Sequence, residues 1–142
     1  MEREIAFRGK SKYTGEWVEG YYVGDNIILA YNEVVYDLGF IDTSPCHDCY
    51  PGSIGQFTGL YDKNGKEIYE GDIVLTPFID PIFGDMVGED LCVKRQVKFN
   101  DGSFVVNEGN GFIYLECFTR HNHIEICGNI HDNPELLKDG RD

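Results

Sequence analysis

The chain has 142 residues, 42% hydrophobic and 13% aromatic, and its 25 Asp and Glu against 12 Lys and Arg give a formal net charge of −13. That size suits one domain, 1–142, with a packed core, and the apolar share excludes global disorder. So anionic a surface is a poor general binder of nucleic acid or of a membrane, because phosphate groups recruit Lys and Arg. Two clusters of basic residues, Arg3, Arg8, Lys10 and Lys12 and then Lys94, Arg95 and Lys98, read as solvated faces and edge-strand protection. The five Cys are an odd number, and no apolar run follows the charged start, which argues against secretion. No stretch approaches the roughly 20 apolar residues of a membrane-spanning helix. The expectation is a soluble cytoplasmic protein with reduced thiols.

In chain order, Glu4–Arg8 alternates polar and apolar residues, and Trp17–Val23 and Asn26–Tyr31 read as strands joined by a tight turn at Gly24-Asp25-Asn26. A further extended segment is expected around Val34–Tyr36. Thr43–Ser53, with Pro45 and Pro51, reads as a loop. Gln56–Tyr61 and Glu67–Tyr69 flank Asn64-Gly65, the dipeptide of a type I′ hairpin. Glu70-Gly71-Asp72 turns the chain into Ile73–Thr76. Pro77–Asp90, with its two Pro and two Gly, reads as a long surface loop. Leu91–Phe99 and Phe104–Asn107 form a second hairpin about Asn100-Asp101-Gly102-Ser103, and Phe112–Thr119 and Ile124–Ile130 complete the strands. Only the tail reads as helix, with Asn133 as cap, Pro134 at the first position, Leu136 and Leu137 docking, and Gly140 as the stop. The fold class is mainly β, either a small barrel or paired antiparallel sheets, with a short C-terminal helix.

Residues 55–74, G-Q-F-T-G-L-Y-D-K-N-G-K-E-I-Y-E-G-D-I-V, resemble the hallmark block of the YopX-like proteins of bacteriophages and prophages. Arg3–Lys10 with Trp17–Tyr21, and Ile124–Leu137, resemble the opening and closing segments of that family. The resemblance implies a mainly-β fold and a phage or prophage origin in a bacterial host, and it implies no activity. The block also has a physical reading as a fold determinant: Asn64-Gly65 turns the chain, Ile68, Ile73 and Val74 supply core, and its glycines relieve the backbone.

Cys46-His47-Asp48-Cys49 is the sharpest chemical feature. Two thiolates at this spacing can share a Zn²⁺ if further ligands come from His47, His121, His123, His131 or another Cys. The bland reading is a pair of loop thiols, and Pro51-Gly52 opposes the helix that a redox dithiol needs. His121-Asn122-His123 reads as a polar turn between strands. Asp62–Glu67 fails as a calcium loop, because Gly65 takes the fourth place and Ile73 the twelfth, where a bidentate Glu belongs. Paired acids such as Glu67 and Glu70 are expected by chance at this acidity, and no nucleophile elbow, phosphate loop or dinucleotide fingerprint is present. No catalytic residue and no cofactor is therefore expected, zinc at Cys46 and Cys49 aside.

These observations favour a non-enzymatic accessory protein that acts through contacts with a host or phage protein. The alternatives are a small zinc-stabilised binding module and an enzyme with an acidic or His-containing cleft near Pro77–Asp90. Exposed sheet edges leave self-association open.

Overall fold

The alternation of apolar and polar residues becomes antiparallel β-structure in the computed structural model, which describes residues 5–30, 36–37, 40–41, 46–79, 86–108, 111–120 and 122–137. The chain divides into two compact units, Met1–Phe57 and Thr58–Asp142.

In the first unit, β1 (Phe7–Lys10), β2 (Trp17–Gly24), β3 (Ile27–Ala30), β6 (Cys46–Asp48) and the start of β7 (Gly55–Tyr61) pair in the order β6-β3-β2-β1-β7. β4 (Tyr36–Asp37) and β5 (Phe40–Ile41) pair with each other. The β2–β3 turn places Asp25 at φ 54° and Asn26 at φ 64°, both left-handed as a type I′ turn requires. Ala6, Ile28, Ala30, Cys49 and Phe57 are buried. An ideal Cβ on Gly9 would fall 2.7 Å from the Cys49 Sγ, so glycine there is what lets the two segments meet. The expected segment about Val34 lies outside the described residues, apart from Tyr36.

The second unit holds the rest of β7, then β8 (Glu67–Tyr69), β9 (Asp72–Ile79), β10 (Met86–Asn100), β11 (Ser103–Glu108), β12 (Gly111–Tyr114) and β13 (Glu125–Asn129). Its five-stranded sheet runs β12-β11-β10-β9-β13. Ile68, Val74, Val97, Val106, Leu115, Phe118 and Ile124 form one buried cluster on one face. Burial of side chains of this size contributes about 1.5–3 kcal/mol each before entropy is set against it. The sheets are open antiparallel ones, and among the described residues no closed barrel forms, so the barrel alternative gives way to the sheet alternative.

Several expectations are corrected. Pro77–Asp90 is not one loop: β9 runs on to Ile79 and β10 begins at Met86, with the ladder slipping between Val87 and Cys92. Pro77 pairs with Cys92 at that irregularity, a position that tolerates a residue without an N–H. The Thr43–Ser53 segment contains β6. Phe112–Thr119 is not all strand, because after Tyr114 the chain makes a single helical turn, α1 (Glu116–Thr119). Leu115 and Phe118, three residues apart, thereby point into the same core. Arg95, read as a solvated cation, is 2% exposed. The tail is a 3₁₀ turn over Pro134–Leu137. Asn133 does not cap it by side chain, since its Oδ1 accepts from the Asn129 amide at 3.2 Å.

Candidate functional site

The Cys46–Cys49 segment is tied into the first unit by its own polar groups. Along an extended strand successive side chains alternate sides, and here Cys46 is exposed, His47 buried and Cys49 fully buried. Cys46 and Cys49, an odd number of residues apart, therefore present their thiols in different environments. Ser11 Oγ lies 3.0 Å from His47 Nδ1 and also accepts from the Tyr13 amide at 3.2 Å. Both Ser11 and His47 are buried, so the pair braces the β1–β2 turn against β6. The Lys12 amide donates to the Asp48 carbonyl at 2.8 Å, and the Lys12 ammonium lies 3.6 Å from the Asp48 carboxylate. Burial pushes the Cys49 thiol pKa up, with the Asp48 charge adding to the rise and a backbone hydrogen bond at Ile28 opposing it. Among the described residues no group of three or more His, Cys, Asp and Glu is placed to hold a metal ion. His121 lies outside them. His131 is half-buried in the turn after β13.

The buried charges of the second unit act as scaffolding. Asp62, 4% exposed, accepts from the Asn64 and Lys66 amides at 2.9 Å each and from the Ile126 amide at 3.1 Å. Arg95 donates from Nε to Thr76 Oγ1 at 2.7 Å and from Nη1 to the Asn107 carbonyl at 2.8 Å and to the Glu108 carboxylate. Its guanidinium lies 5.9 Å from the Phe118 ring centre.

The face of the sheet opposite this core carries the candidate site. Leu75 on β9 is paired with Glu125 on one side and Lys94 on the other, and Pro77 is paired with Cys92. Residues two apart on a strand share a face, so Leu75 and Pro77 make an apolar floor. The groove above it has a volume of about 450 Å³ and is walled by Lys63, Asn122, His123 and Glu125 on the β13 side and by Cys92 on the β10 side. Lys63 Nζ lies 3.2 Å from Glu125 Oε1, and the Lys63 amide donates to the Ile124 carbonyl at 2.9 Å. Asn122, at φ 56°, turns the chain so that the exposed His123 enters the wall. Cys92 and His123 enter this groove from the strands on either side of β9. Sequence reading placed a cleft near Pro77–Asp90 but did not find Lys63, Asn122 or Glu125. Their only signal was the hairpin at Asp62–Lys66, which brings Lys63 beside β13.

A family model described as "YopX protein" matches residues 6–138. No curated protein sequence matches the chain. Among solved structures, the chain is similar to the crystal structure of protein EF1440 from Enterococcus faecalis, with 22% identity, a TM-score of 0.59, and coverage of 96% of this chain and 99% of that one. At that identity the likeness shows the fold alone. No helix among the described residues is long and apolar enough to cross a membrane.

Proposed function

The chain belongs to the YopX family, and from that premise we propose that it is a phage or prophage accessory protein that works by protein–protein contact inside the bacterial host. The observation that carries this reading is the groove on the outer sheet face, with an apolar Leu75–Pro77 floor and walls bearing Lys63, Glu125 and His123. An apolar strip rimmed by polar groups is the usual anatomy of a docking surface. The net charge of −13 favours a partner with a basic surface, since complementary potentials raise association rates.

The test is affinity capture from bacterial lysate at low and moderate salt with the wild type and Cys92→Arg, followed by mass spectrometry. Cys92 is exposed, so the substitution fills the groove without entering the core. A protein retained by the wild type at both salts and lost from the variant supports the reading. Identical captures by the two proteins refute it.

A further inference from the structure

We propose a second docking surface at the opposite edge of the same sheet, where the outer strand β12 and the residues beside it take a basic side chain of an extended partner segment. β12 is an edge of the sheet, and its outer backbone groups have no neighbouring strand among the described residues. An extended segment can add to such an edge, with side-chain pockets supplying the choice of sequence. Phe112 and Tyr114, alternate residues on one face of β12, are 48% and 63% exposed.

Beside Tyr114 opens a groove of about 320 Å³ lined by Leu60, Ser103, Phe104 and Glu116. Leu60 and Phe104 offer apolar walls to the methylene stem of a Lys or Arg, and Tyr114 offers a ring face to its cation. Glu116 offers the carboxylate. It already holds a guanidinium, that of Arg120, at 3.2 Å, with both side chains more than 60% exposed. An exposed pair of this kind contributes little, so a partner's cation can replace Arg120. The chain thus displays on itself the contact it would offer to others, and its charge of −13 selects a basic occupant over an acidic one. This surface shares no residue with the Leu75–Pro77 groove, so the two stand or fall separately.

The test uses fluorescence anisotropy of a labelled short peptide alternating Val and Arg, with the alternating Val–Glu peptide as control. The Val–Arg peptide is expected to bind, with Tyr114→Ala and Glu116→Gln each weakening it several-fold to about tenfold, the scale of one cation–π or charge contact. Arg120→Ala removes the resident competitor and is expected to tighten binding. Lys12→Ala, the same charge change in the first unit, and Glu19→Gln, an acid removed there, should leave it unchanged, as should Cys92→Arg in the other groove. Equal weakening by Glu19→Gln and Glu116→Gln would reduce the effect to net charge and overturn the proposal. So would equal binding of the Val–Glu peptide, or loss of binding in Cys92→Arg.

Discussion

The Asp62 carboxylate reaches across to the backbone of Ile126, its Oδ2 3.1 Å from the amide nitrogen, although 64 residues separate the two in sequence. Its other oxygen holds the Asn64 and Lys66 amides, so one buried carboxylate closes the 62–66 turn and fastens it to β13. The central block of the sequence therefore specifies structure at the same point where it positions Lys63 in the groove wall.

Asp62→Ala would leave three amides without their acceptor. Charge-assisted bonds to a buried group are costly to lose, and the variant is expected to be less stable by about 2–4 kcal/mol. Asp62→Asn, which keeps a carbonyl oxygen for the turn, should lose less. Denaturant melts of the three proteins check the order, and equal stability of Asp62→Ala and wild type would contradict it.

Arg95 is buried while its partner Glu108 is half-exposed, so the pair is unequal. Glu108→Ala is expected to destabilise by about 1–3 kcal/mol, because it removes an acceptor from a buried guanidinium. Thermal and denaturant unfolding measure it, and a neutral result would mean that Thr76 and Asn107 suffice to hold Arg95.

The thiols should separate by reactivity. Cys46 and Cys92 are exposed and are expected to modify first, whereas Cys49 should react only as fast as the first unit opens. Burial raises the thiol pKa values of Cys49 and Cys127 above their ordinary 9.0. The sign follows: these groups favour the folded state while neutral, and that contribution fades as pH climbs from about 9 through the folded pKa values, so alkaline solution destabilises the protein. A shared zinc would need the Cys46 and Cys49 thiolates turned to one side. We expect less than about 0.2 zinc per chain and a melting temperature unmoved by chelator, because a structural zinc would contribute directly to folding. Stoichiometric zinc would refute this.

Turn chemistry and strand alternation were legible in the sequence wherever local interactions decide. Asp25-Asn26 and Asp101-Gly102 each place both central residues in the left-handed region, as short hairpins demand. Asn64-Gly65 does not follow the type I′ expectation. Only Gly65 has positive φ, at 81°, and Gly65 donates to the Asp62 carbonyl while the Asp62 amide donates to Lys66, which is a type I turn with a glycine bulge. The Asp62 side chain captures the Asn64 amide and so overrides the dipeptide. The groove was hidden for a different reason: Lys63, Leu75, Cys92 and His123 are far apart in sequence, and only strand register gathers them. Arg95 misled because a cation in a basic cluster looks solvated until Glu108, Thr76 and Asn107 are seen around it.

The most direct test of groove docking places a photo-crosslinker on the native Cys92 thiol in a Cys46→Ser background, with the reverse protein, labelled at Cys46 in a Cys92→Ser background, as control. Both probes are exposed, and each sits in a different unit. After irradiation in bacterial lysate, the account predicts one dominant protein adduct from Cys92 that is absent from Cys46. The same spread of adducts from both positions, or none from Cys92, would contradict it.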